Sequence, residues 1–147
     1  MVYAYAVQFH KAENGTMIAT VPDVPGTMTV GANRTEALER VQGALVVMLA
    51  ARIQDHEPIP HPSKTMKVSV RGQRMAILPP LVTAKLSVYE AMRARRITSV
   101  ELAGRLGWQP ARVERLVDLR RPSRLEQIET ALAALGKRLV IEVASAA

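Results

Sequence analysis

The run Leu102-Ala103-Gly104-Arg105-Leu106-Gly107-Trp108-Gln109-Pro110-Ala111-Arg112-Val113-Glu114-Arg115-Leu116 holds the residues best suited to chemistry with a ligand, and that chemistry is the reading of base edges. A helix starting at Pro110 would expose Pro110, Ala111, Arg112 and Arg115 together, with Gln109 just ahead of its first turn, as the DNA-reading face. Arginine can offer two parallel donors to guanine in the major groove, and an alanine methyl can pack on the thymine methyl. Arg105, Arg120 and Arg121, with Arg95, Arg96 and Arg124 around them, have the reach to hold phosphates. The rest of the run fits a helix-turn-helix. Ala103 is small where two helices must cross, Gly107 can turn left-handed at the first helix end, and Val113 and Leu116 can anchor the second helix. Two short helices around a glycine could also be a plain helical hairpin, but the agreement of these anchors with a basic outer face favours DNA binding.

Other chemistries find little support. The chain has no cysteine, which removes thiolate metal sites, disulfides and cysteine catalysis. His10, His56 and His61 lack the spacing of a helical metal pair, and the last two straddle a proline-rich stretch. A metal-dependent nuclease needs converging carboxylates. Glu36 and Glu39 read as a helix cap and a solvated helix face, Asp55 and Glu57 as a helix exit, and Asp23 as a turn residue. The expectation is therefore no catalytic residue, no metal and no cofactor.

The elements that must position these residues follow from the pattern along 147 residues, of which 48% are hydrophobic and 22% charged, a balance typical of folded chains. No apolar run is long enough to span a bilayer, and the start MVYAYAVQFH lacks the form of a signal peptide, so the expected setting is the cytoplasm. Tyr3 to Phe9 and Thr16 to Val21 flank Asn14-Gly15 as a hairpin, and Thr27 to Val30 gives a third strand. Asn33 with Glu36 caps a helix from about Arg34 to Gln54, striped by Leu38, Val41, Leu45, Met48 and Leu49. The prolines of Glu57 to Pro62 stop it, and Met66 to Val70 reads as a fourth strand. From Leu81 the pattern is helical, with Thr98 or Ser99, Pro110 and Ser123 as start signals and Gly136 as the last stop. Leu139 to Val143 is again β-like.

The predicted fold class is thus α+β: a β-β-β-α-β sheet-and-helix domain over residues 1–71, a linker over 72–80, and a small all-α helix-turn-helix domain over 81–147. Charge is uneven along the chain. Residues 1–63 hold four basic against six acidic residues, a net of −2, and the remainder hold 16 against seven, a net of +9. A polyanion partner for the second half and a basic partner for the first are the expectations.

The second half, from about Thr83 to Gly136, resembles the Cro and lambda-repressor type of helix-turn-helix domain, with Trp108 where a smaller aliphatic residue is usual. The first half resembles the N-terminal domain of the HicB antitoxin family through Val21-Pro22-Asp23-Val24-Pro25-Gly26, Val30-Gly31 before Thr35-Glu36-Ala37-Leu38, and Asp55-His56-Glu57-Pro58-Ile59-Pro60-His61-Pro62-Ser63. With the closing Ala134-Leu135-Gly136-Lys137-Arg138-Leu139, the likeness spans nearly the whole chain. It implies a partial ribonuclease-H-like first domain that occupies HicA, a small mRNA-cleaving ribonuclease, and a C-terminal domain that binds the operator of its own operon. The loop Asp23, Val24, Pro25 and Gly26 would then face the toxin, and no catalysis follows from the fold alone. Recognition helices of this kind read paired half-sites, so a homodimer or a higher homo-oligomer is expected. The alternative is a stand-alone transcriptional regulator whose first domain senses a small ligand.

Overall fold

The computed structural model describes residues 3–63 and 75–145, and it resolves the chain into two compact units, Met1–Thr83 and Ala84–Ala147. The first unit contains β1 (Ala4–Ala6), β2 (Gln8–Lys11), β3 (Met17–Thr20), β4 (Met28–Gly31), α1 (Arg34–Gln54) and β5 (Met75–Ile77). Helix α2 (Pro80–Arg95) begins in the first unit and runs into the second, which continues with α3 (Ser99–Leu106), α4 (Pro110–Val117) and α5 (Leu125–Ala134). The α+β class holds.

The stretch expected as one opening strand serves two sheets. After a break at the buried Val7, β2 pairs antiparallel with β3 and β3 with β4, while β1 pairs antiparallel with β5. Asn14 shapes the β2–β3 turn, where the Thr16 N–H and hydroxyl both donate to its Oδ1 at 3.1 and 2.6 Å. Asn33 caps α1 as the sequence suggests, accepting from the Glu36 N–H at 2.9 Å, and Arg40 ties that turn to β4 by donating to the Val30 carbonyl at 2.9 Å. Gly31 is required where β4 meets the helix, because a Cβ there would come within 2.5 Å of the Ala37 backbone nitrogen.

The buried stripe of α1 is Ala37, Val41, Leu45, Leu49 and Ile53 in four-residue steps, with Ala50 buried beside it. The expected stripe was placed partly off this line, since Leu38 and Met48 are only half-buried at its border. The small Ala37 and the distant Ile53 complete the row, and helical geometry favours that row over residue size.

Of two further expectations about this half, one is untested and one changes. The strand at Met66 to Val70 lies outside the described residues. The linker assigned to 72–80 contains β5, whose Ala76 lies opposite Tyr5 with both side chains buried, and the Leu78 N–H donates to the Tyr3 carbonyl at 3.2 Å. Apolar residues alternating with small ones before Pro79 can satisfy a strand edge, so a run read as a connector closes a ladder instead.

In the second unit Leu86, Val88, Ile97, Leu102, Val113, Leu116, Ile128 and Leu135 are buried together with Ala103 and Ala131, the small residues of α3 and α5. Thr98, not Ser99, caps α3 by accepting from the Glu101 N–H at 3.1 Å. Ser123 does not cap α5. Arg124 occupies the cap position without a side-chain bond, and the Ser123 hydroxyl is engaged elsewhere. The segment Leu139 to Val143 forms no strand, because none of the described residues pairs with it and an isolated strand has no ladder to hold it.

Candidate nucleic-acid interface

The geometry of the α3–α4 turn matches what the spacing required. Gly107 ends α3 with φ +68°, in the left-handed region, and the Trp108 N–H donates to the Ala103 carbonyl at 2.9 Å. Pro110 then occupies the first turn of α4, where its missing N–H costs nothing. Val113, Leu116 and Val117 bury one side of α4. Ala111, Arg112 and Arg115 stay exposed, in the company of the acidic Glu114. Gln109 stands exposed at the head of the helix, and Pro110 is half-buried.

Trp108, the one departure from the usual pattern, is half-exposed rather than part of the core. The Arg112 guanidinium lies 5.3 Å from the centre of its ring, a cation–π contact that narrows where the arginine can point before any ligand arrives. Arg105 is exposed on α3, and Arg120, Arg121 and Arg124 are exposed after α4. Asp118 restrains two of these, with Oδ1 3.5 Å from Arg120 Nε and Oδ2 3.6 Å from Arg121 Nε. It also accepts from the Arg120 N–H at 3.1 Å. These pairs are solvent-exposed and weak, so a phosphate could take over either arginine at small cost.

Sequence reasoning missed Lys85, a fully buried lysine on α2. Its ammonium donates to the Arg115 carbonyl at 3.0 Å and to the Ser123 hydroxyl at 2.7 Å, tying α2 to the end of α4 and to the entry of α5. Burial lowers its pKa to about 8; Asp118 opposes this shift and Arg115 reinforces it. The signal was present in the spacing, since Val82, Lys85, Tyr89 and Met92 form one buried helical stripe with a charge inside it.

In the first unit the structure separates the four loop residues expected to face a partner. Val24 is fully buried and Asp23 half-buried, while Pro25 and Gly26 are exposed. Two successive turns place them so, with the Val24 N–H donating to the Val21 carbonyl and the Thr27 N–H to the Val24 carbonyl, each at 3.1 Å. Asp23 Oδ2 accepts from the Ser63 N–H at 2.8 Å and pins the proline segment, whose Pro60 carbonyl accepts from the Tyr5 hydroxyl at 2.7 Å. Val24 thus serves packing and Asp23 serves an internal anchor. Beside this loop β4 exposes Met28 and Val30, at 62% and 41%, which sequence reasoning did not single out.

The charge of this unit also differs from expectation. Across Met1–Thr83 eight basic residues face six acidic, a net of +2, because the acidic balance held only for a cut at residue 63. Among the described residues no cluster of histidine and carboxylate side chains could hold a metal, and no helix is long and apolar enough to cross a membrane.

Comparison with known proteins places these surfaces in context. Residues 4–87 match the family model described as the HicB-like antitoxin of bacterial toxin–antitoxin systems. Antitoxin HicB 2 of Photorhabdus laumondii subsp. laumondii is 34% identical over 135 residues, covering 92% of each chain. Antitoxin HicB of Pseudomonas fluorescens is 30% identical over 99% of this chain and 97% of its own. The crystal structure of the N-terminal domain of Burkholderia pseudomallei antitoxin HicB aligns with 54% of this chain and 96% of its own, at 25% identity and a TM-score of 0.38.

Proposed function

Because this chain belongs to the HicB-like antitoxin family of toxin–antitoxin systems, we propose that it silences a HicA-like mRNA-cleaving ribonuclease by covering its RNA-binding surface, and that it represses its own operon by binding operator DNA. The work divides between the two units, in the cytoplasm, and the chain performs no catalysis of its own. The observation that carries the operator half is the α3–Gly107–α4 turn, which buries Val113 and Leu116 while leaving Gln109, Ala111, Arg112 and Arg115 at the surface. Phosphates fall to Arg105, Arg120 and Arg121. For the toxin, the first unit offers Pro25, Gly26, Met28 and Val30, an apolar edge suited to the centre of a protein interface. Its net charge of +2 gives no electrostatic steering toward a basic toxin, so apolar contact and shape carry the affinity.

Two readouts in one strain test this. Co-expression of the full chain with the ribonuclease encoded beside it should restore growth, and a reporter behind the operon's promoter should be repressed. The Arg112→Ala/Arg115→Ala double variant should restore growth while losing repression. Continued toxicity with folded wild-type chain defeats occlusion, and full repression by the double variant defeats the assignment of α4.

A further inference from the structure

Trp108, the sole tryptophan, stands on the turn after Gly107, just ahead of α4. Its backbone is fixed from both sides. The Trp108 N–H donates to the Ala103 carbonyl at 2.9 Å, and Pro110 restricts the chain two residues later. The core between α3 and α4 is filled without the ring, since Leu102, Ala103, Val113 and Leu116 are buried while Trp108 is half-exposed. What the ring does touch is the exposed Arg112, whose guanidinium carbon lies 5.3 Å from its centre. The kind of contact matters. Asp118 engages Arg120 and Arg121 through its carboxylate oxygens, at 3.5 and 3.6 Å, and so occupies donors that a ligand would need. A ring attracts the guanidinium by its π charge and offers no acceptor atom, so it steadies Arg112 while leaving the N–H donors open to a base.

We propose that Trp108 is a specificity-determining positioning residue for the operator, its ring holding Arg112 in the pose from which the arginine reads guanine. The proposal rests on the assignment of α4 to operator DNA. A bidentate pair with guanine demands one geometry. An unrestrained arginine loses rotamer freedom on reaching that geometry, and at a wrong base it can swing to a neighbouring acceptor or a phosphate. An arginine held by a ring on a fixed turn has lost much of that freedom beforehand and has fewer alternatives, so the ring sharpens the choice of base more than it strengthens binding to DNA in general.

The test uses the full chain and duplex DNA carrying the promoter of its own operon, with each G·C pair replaced in turn. Arg112→Ala marks the pair that this arginine reads, because discrimination is lost there. Trp108→Leu should lower discrimination at that same pair by about three- to tenfold and leave the other pairs and an unrelated duplex unaffected. Trp108→Tyr keeps a ring and should keep most of the discrimination. In the Arg112→Ala background Trp108→Leu should change nothing further, since the two residues act as one unit. Melting followed by circular dichroism checks that each variant is folded, and Trp108→Met replaces the leucine variant if that one is not. A lost pair in Arg112→Ala beside an unchanged Trp108→Leu overturns the proposal alone. So do a loss spread evenly over all pairs, a tyrosine variant as poor as the leucine one, an additive effect on top of Arg112→Ala, or unfolding of both aliphatic variants, which would make the ring a core residue. No binding by the wild-type chain, or an Arg112→Ala variant with no lost pair, overturns the reading of α4 and the proposal with it.

Discussion

The two units secure their surfaces by different means. In the second, the exposed face of α4 is fixed by contacts close in sequence: the Thr98 cap, the left-handed Gly107, the Trp108 bond to Ala103 and the first-turn Pro110 all fall within 13 residues. In the first, the loop at Asp23 to Gly26 is held by partners far along the chain, with Ser63 bonded to Asp23 across 40 residues and Tyr5 to Pro60 across 55. A local motif carries its geometry wherever the chain places it. A surface built by distant segments exists only when the whole unit has folded, because closing the longer loops costs entropy that packing must recover.

The largest expected effect that separates the units is in the core of the first. Leu45→Ala, at a fully buried position of α1, should cost about 2–5 kcal/mol. The loss should show in the far-ultraviolet dichroism of the sheet-containing unit. The fluorescence of Trp108, the sole tryptophan, should report an unmoved second transition. A matching shift in both signals would break the comparison.

Next is the pH dependence of the second unit. The pKa of Lys85 falls from 10.5 to about 8 on folding, so between these values the unfolded chain holds a proton that the folded unit has released. Stability followed through Trp108 should therefore rise with pH across that window, by up to about 3 kcal/mol. The Lys85→Met variant should lack the rise. A fall in wild-type stability over that window would contradict the burial assigned to this lysine.

Smaller effects distinguish base reading from phosphate holding within the second unit. Arg112→Ala or Arg115→Ala should each cost about 1–3 kcal/mol on the operator and relax its sequence preference, with urea midpoints unchanged. Arg120→Ala should instead weaken binding to all sequences and reduce the salt slope by about one. Titrations at two salt concentrations separate the two patterns. The smallest effect is expected at the loop anchor. Asp23→Ala leaves the Ser63 N–H without its acceptor, which should destabilise the first unit by about 1 kcal/mol and leave operator affinity unaltered.

These contrasts mirror what could be read in advance. Helix α4, the glycine turn before it and its exposed arginines were legible because each depends on neighbours within one or two helical turns. The α1 cap was legible for the same reason. The linker at 72–80 was misplaced because a three-residue strand such as Met75–Ile77 has no identity apart from the β1 strand it pairs with. Val24 looked like a candidate contact because a turn sequence does not reveal which of its residues points inward.

The sequence by itself determined the α+β class, the helix-turn-helix, the capping of α1 and the family to which the chain is related. Those features rest on residue type and short spacing, which fix backbone angles and local hydrogen bonds directly. Only the tertiary structure decided that Asp23 turns inward to Ser63, that one opening stretch feeds two sheets, that Lys85 is buried beneath the end of α4, and that Val140, Ile141 and Val143 remain uncovered. The physical reason is that burial and strand pairing are properties of two surfaces at once, and a linear pattern specifies each surface without its mate.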